Sequence, residues 1–153
     1  MCGLTGFLSP AVHNQDELRA RVLQMTETLA HRGPDDQGLW VDAAAGVALG
    51  HRRLSILDLS ELGRQPMLSA SGRFVVILNG EVYNHGALRR ELQSLGHTFL
   101  GHSDTEVLLA AVVEWGLERA VKRFIGMFAF ALWDRDRREL ALVRDAIGIK
   151  PLY

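Results

Sequence analysis

The apolar positions alternate between runs of strand length and stripes at helical spacing. Cys2 to Leu8 reads as a strand that ends at Ser9-Pro10. Asn14 with Glu17 three residues later has the form of a capping box, and Leu18, Val22, Met25 and Leu29 then recur at helical spacing until Gly33-Pro34 stops the run. Two strands are predicted next, Gly38 to Val41 and Val47 to His51, joined by a small-residue turn at Ala43 to Gly46. After a polar loop, Phe74 to Leu78 is a continuous apolar run of the kind buried on both faces, which predicts a central position in a sheet.

The second half repeats this alternation. Leu88, Leu92 and Leu95 stripe a helix terminated by Gly96. Ser103 and Glu106 cap another, whose Leu108, Leu109, Val112 and Val113 read as core before Gly116. A short helix is read over Leu117 to Phe124. Met127 to Trp133 and Glu139 to Val143 are strands flanking a hairpin turn, Asp134 to Arg138. Strands outnumber helices and come in adjacent pairs, so the expected class is α+β, with antiparallel sheets and helices packed outside.

Composition narrows the function classes. The chain has 153 residues, 48% hydrophobic and 23% charged, with a net charge of −1. That is one ordinary domain with room for a sizeable core. No basic excess points to nucleic acid or an acidic membrane surface, and neither is an expected partner. A single cysteine cannot close an internal disulfide, no secretory signal is visible, and the longest apolar runs are far shorter than a bilayer span, so a reducing cytoplasm is expected. The six histidines are scattered, and no metal site is expected.

The lone cysteine stands at position 2, so removal of Met1 would place a thiol and a free α-amine on one residue. A free thiol, with a pKa of about 8.5, needs a base to become nucleophilic at neutral pH. An α-amine, with a reference pKa of about 7.7 to 8.0, can be that base, whereas a peptide nitrogen cannot. Asn79-Gly80-Glu81 follows the buried run and reads either as a strand-ending turn or as a pair of donors, a side-chain amide and a backbone N–H, for a developing oxyanion. Arg53, in His51-Arg52-Arg53-Leu54-Ser55-Ile56, reads either as a solvated arginine or as a grip for a carboxylate, and Asp104, in the first turn of a helix, either as a favourable charge on the helix dipole or as a ligand of an ammonium group. Together these are the groups needed to bind an α-amino acid and cleave its side-chain amide.

Cys2-Gly3 with Gly6-Phe7, His31-Arg32-Gly33-Pro34-Asp35, Arg53-Leu54-Ser55-Ile56, Asn79-Gly80-Glu81-Val82-Tyr83-Asn84, Ser103-Asp104-Thr105-Glu106 and Arg144-Asp145 with Gly148 and Lys150-Pro151-Leu152-Tyr153 form an ordered series along the whole chain. In these motifs the chain resembles the glutaminase domain of class II glutamine amidotransferases, and within that group it is most similar to glutamine-hydrolysing asparagine synthetases. The resemblance implies the four-layer αββα sandwich of N-terminal nucleophile (Ntn) hydrolases. It implies Cys2 as the nucleophile that forms a glutamyl thioester, and Asn79 with the Gly80 N–H as the oxyanion hole. It implies Arg53 as the ligand of the substrate carboxylate, Asp104 as that of the ammonium group, and Leu54, Ser55, Ile56, Leu57 and Glu81 as the rest of the glutamine pocket.

Domain and partner expectations follow from the same resemblance. Residues 2–153 correspond to a type 2 glutamine amidotransferase domain incomplete at its C-terminus, which would leave a sheet edge exposed and lower the stability of the chain alone. The glutaminase domain needs no cofactor. ATP and Mg are expected only in a synthetase domain whose pyrophosphate-binding loop has no counterpart here. Expected partners are L-glutamine, a synthetase domain in cis or in trans, and a second copy in a homodimer of the full-length enzyme. Ammonia would go to aspartate in an asparagine synthetase, or to another acceptor in relatives that amidate sugars or serve surface-polysaccharide pathways. The competing reading is an inactive or merely glutamine-binding fragment.

Overall fold

The computed structural model describes residues 2–11, 14–54 and 60–153. Strand β1 (Gly3–Leu8) is followed by helix α1 (Gln15–Glu27), strands β2 (Asp36–Asp42) and β3 (Val47–Arg53), a 3-10 turn (Glu61–Gly63) and a two-residue strand β4 (Met67–Leu68). Strand β5 (Phe74–Val82), helices α2 (His85–Ser94), α3 (Asp104–Trp115) and α4 (Leu117–Val121), and strands β6 (Gly126–Asp134) and β7 (Glu139–Arg144) complete the fold. One antiparallel sheet has the order β1-β3-β2 and the other β4-β5-β6-β7.

Strand parity sorts the side chains into layers, because successive residues point to opposite faces. From β3, Val47 and Leu49 meet Val75 and Ile77 of β5 and Ala131 and Trp133 of β6, which makes the core between the sheets. The alternate residue Ala48 points outward onto Leu18 and Val22 of α1. From β5 and β6, Val76, Leu78, Phe128, Phe130 and Leu132 point the other way, onto Leu88 and Leu92 of α2 and Leu108 and Val112 of α3. The layers are therefore α1, sheet, sheet, and the α2–α4 group, an αββα sandwich. Among the described residues no helix is long and apolar enough to cross a membrane.

The capping box forms as the sequence predicts: Asn14 Oδ1 accepts from the Glu17 N–H at 2.7 Å and Glu17 Oε2 from the Asn14 N–H at 3.4 Å. Five local expectations change. Helix α1 ends at Glu27 and buries Leu18, Val22 and Thr26, leaving Met25 only partly covered. Thr26 takes that place because Gly50 of β3 lies beneath it, where a Cβ would collide with Thr26 Oγ1, and because its hydroxyl is satisfied by the Val22 carbonyl at 2.6 Å. Val113 is exposed while Val107, Leu108, Leu109, Ala111 and Val112 are buried, and Leu95, which caps α2, is exposed as well. Asn79-Gly80 is not a strand-ending turn: β5 runs on through Val82, paired residue by residue with β6 from Phe74↔Asp134 to Val82↔Gly126.

Candidate active site

The cleft opens where the two sheets present their chain ends to α3. Cys2 stands just before β1, whose Gly3 pairs with Arg52 of β3, so its side chain lies beside the end of β3. Its half-buried thiol is held by Leu54: Sγ accepts from the Leu54 N–H at 3.4 Å and lies 3.7 Å from the Leu54 carbonyl oxygen. The segment beneath is locked onto β3, since Arg52 donates to the Gly33 carbonyl and to Gln37 Oε1 at 2.8 and 2.9 Å and the Asp35 N–H donates to the Arg53 carbonyl at 3.0 Å. Gly33 is required there: a Cβ would collide with the backbone of Arg52.

Arg53 ends β3 at 8% exposure and donates to the Ser60 carbonyl at 2.9 Å. On the opposite sheet, Asn79 and Gly80 lie within β5. Asn79 is buried, and its Oδ1 has no hydrogen-bond partner among the described residues. An orphan buried acceptor costs about 1–3 kcal/mol and marks a position kept for something besides packing. Gly80 has φ +143°, and a Cβ would collide with the Met127 carbonyl oxygen, so only glycine allows β5 to continue past β6 here.

Asp104 reaches the cleft from the first turn of α3. Ser103 Oγ caps that helix by accepting from the Glu106 N–H at 3.2 Å, and Arg89 braces the preceding loop by donating to the Gly101 carbonyl at 2.9 Å with its guanidinium over the Phe99 ring. Asp104 Oδ2 accepts from the Val82 N–H at 2.8 Å, fixing the carboxylate beside the end of β5. Burial pushes its carboxyl above the ordinary carboxylate range, and the nearby Glu81 adds to this against the pull of the Val82 N–H and His85. A carboxylate desolvated in this way gains from a cationic ligand.

Cys2, Arg53, Leu54, Asn79, Gly80, Glu81 and Asp104 line one cleft of about 80 Å³. Ser55, Ile56 and Leu57 lie outside the described residues. The cleft thus joins a thiol, a guanidinium, a buried amide and a desolvated carboxylate that are scattered over a hundred residues of sequence.

Sequence reasoning gave no role in the cleft to several further lining residues: Gly63, Gln65, Ser103, Thr105, Met127 and Lys150. Ser103 was legible as a cap and Lys150 as part of the terminal motif, whereas Gln65 carries no local signal. Lys150 is 2% exposed. Its loop is organised by Asp145, which accepts from the N–H groups of Phe128, Ile149 and Lys150 at 3.2, 2.8 and 3.0 Å. Desolvation opposes ionisation of Asp145, yet the backbone donors, Lys150 first, hold its carboxyl below the ordinary range. An apolar cleft of about 580 Å³ between β1, β7 and Pro151–Tyr153 reaches Cys2 and Asn79 from the other side.

Comparison with known proteins gives the family and the fold. A family model for the glutamine amidotransferase domain matches residues 1–153. The chain is 43% identical over 155 residues to asparagine synthetase [glutamine-hydrolyzing] 3 of Bacillus subtilis, covering all of this chain and 24% of that protein. It is 41% identical over 165 residues to a putative asparagine synthetase [glutamine-hydrolyzing] of Mycobacterium tuberculosis, with 25% of that protein covered, and 37% identical to amidase chry2 of Gibberella zeae, with 24% covered. The chain spans about a quarter of the length of these relatives. Among solved structures, the glutamine phosphoribosylpyrophosphate amidotransferase of B. subtilis superposes with a TM-score of 0.59 over 70% of this chain and 25% of that one, at 23% identity, a likeness of fold. The chain is a member of the glutamine amidotransferase domain family, with the αββα fold of the Ntn amidotransferases.

Proposed function

We propose that this domain hydrolyses glutamine to glutamate and ammonia through a thioester on Cys2. The observation that carries the reading is the convergence of Cys2, Arg53, Asn79, Gly80 and Asp104 on one cleft. Arg53 and Asp104, of opposite charge, would take the α-carboxylate and α-ammonium of the substrate and so fix which carboxamide faces the thiol.

With Met1 removed, the Cys2 α-amine would accept the thiol proton as Sγ attacks the carboxamide carbon. The Asn79 amide N–H and the Gly80 backbone N–H would hold the oxygen as it becomes an oxyanion. Collapse breaks the C–N bond, the ammonium form of the α-amine returns its proton to the leaving nitrogen, and ammonia departs. Water, deprotonated by the same amine, then adds to the thioester, expelling the thiolate and releasing glutamate.

The 41–43% identity to asparagine synthetases favours aspartate as the eventual acceptor of the ammonia in a longer chain, with residues 2–153 as its glutaminase portion. On this reading ATP would bind in a synthetase part, in cis or in trans, and glutamine would be the ligand of the cleft described here. The test is glutamate release from glutamine by the processed protein. Turnover that vanishes in Cys2→Ala supports the reading, and glutamine binding without turnover supports a binding module instead.

A further inference from the structure

Strand β5 carries the two oxyanion residues, yet it loses its neighbour on one side just before them. The two-residue strand β4 pairs only with Val75 and Val76, so beyond Val76 that edge of β5 has no strand partner among the described residues. Leu78, immediately before Asn79, is 2% exposed, and an unpaired peptide group there would be costly. Two side chains take the place of the missing strand. The Leu78 N–H donates to Gln65 Oε1 at 2.6 Å, and the Leu78 carbonyl accepts from His51 Nε2 at 3.0 Å.

Gln65 has a second end. Its Nε2 donates at 3.1 Å to Oγ1 of Thr105, the buried residue next to Asp104 in the first turn of α3. At the far side of the oxyanion residues, the Val82 N–H donates to Asp104 itself. The segment Asn79–Glu81 is therefore strung between two ties to the same helical turn, one through Gln65 and one through Asp104. The Gln65 backbone in turn sits against β2, where Gly38 leaves it room: a Cβ on Gly38 would collide with the Gln65 carbonyl oxygen.

We propose that Gln65 is a positioning residue for glutamine hydrolysis, its carboxamide bracing the oxyanion strand at Leu78 against the ammonium-binding turn at Thr105 so that both ends of the substrate are held in one register. The proposal rests on the glutaminase reading above. Gln65 acts through Asn79 and Asp104, and a displacement of either by about 1 Å can cost up to 10²-fold in rate.

The test is glutaminase kinetics of the full chain with Gln65→Met, which keeps the length and removes both hydrogen bonds. We expect kcat to fall about tenfold and KM for glutamine to rise several-fold, with Thr105→Val, which cuts one end only, intermediate in both. The deciding comparison is a double-mutant cycle. In an Asn79→Ala background, Gln65→Met should lower kcat by clearly less than it does in the parent, because one of the groups it positions is gone. Unchanged kinetics in a folded Gln65→Met protein, or an equal loss of kcat in both backgrounds, would overturn the proposal. Should Gln65→Met not fold, the same cycle run with Thr105→Val decides by the same criteria. Absence of glutamate release from the parent protein would overturn the glutaminase reading itself, whereas parental turnover with an unaffected Gln65→Met would overturn only the role of Gln65.

Discussion

The two sheets are built to different standards. The second is covered by α2, α3 and α4 over a continuous core in which Phe130, Val76 and Leu108 are fully buried. Among the described residues the first is covered by one helix, α1, through Leu18, Val22 and Ala48, and every residue of β2 is only partly buried. The thick half carries Asn79, Gly80 and Asp104, and the thin half carries Cys2 and Arg53 at its ends. On the proposed mechanism the first three must be aimed, whereas Cys2 must be reachable and have its terminus freed first. Preorganised donors depend on a rigid frame, whereas attack depends on access.

The largest effect that could break this comparison is on the reactive side. Retaining one extra residue before Cys2 converts the amine into an amide, and glutamate release should fall by about 10³-fold or more, measured by coupled assay on a processed and an uncleavable N-terminus. Full activity with the extension would remove the amine from the mechanism. For stability the asymmetry predicts the reverse. Phe130→Ala in the thick half should cost about 3–5 kcal/mol, and Val41→Ala on β2 about 1 kcal/mol, both read by denaturant unfolding. Equal costs would mean that the thin half is packed as well as the thick one.

The seam between the halves titrates. His51 is buried against the Leu78 carbonyl, and desolvation pushes its pKa down from 6.5 to about 4, so the folded state holds it neutral. Between those values the unfolded chain binds more protons. The His51 contribution is therefore complete above pH 6.5 and is lost as pH falls toward 4, about 3 kcal/mol at most. Urea midpoints at pH 7 and pH 5 should differ in the parent and converge in His51→Gln.

A smaller effect sits on Asp104, whose raised pKa means that its ammonium-binding form begins to disappear above the ordinary carboxylate value of 3.8. KM for glutamine should rise as pH falls from neutrality toward the carboxylate range, and Asp104→Asn should have a high KM that no longer changes with pH. A KM independent of pH in the parent would place the ammonium elsewhere.

The legible parts of the fold were those encoded locally. The Asn14 capping box, the Ser103 cap and the apolar runs of β5 and β6 need only neighbouring residues to declare themselves. What escaped depends on distant partners. Asn79-Gly80 carries the signature of a turn, yet it stays in β5 because β6 supplies partners through Gly126. Thr26 displaced Met25 from the core because of a glycine on β3, and Gln65 shows its role only when Leu78 and Thr105 are brought to it. The residues of the cleft could be named through the motif resemblance. The brace behind them could not, since nothing in a lone glutamine announces two partners 13 and 40 residues away.

The most direct test of the central claim is the intact mass of the untagged protein after exposure to 6-diazo-5-oxo-norleucine, an electrophile with the shape of glutamine. The account predicts loss of Met1 and a single covalent adduct on Cys2, blocked by excess glutamine. A folded protein that has lost Met1 and takes up no adduct would contradict it, because the thiol, the carboxylate clamp and the oxyanion donors would then not form one working site.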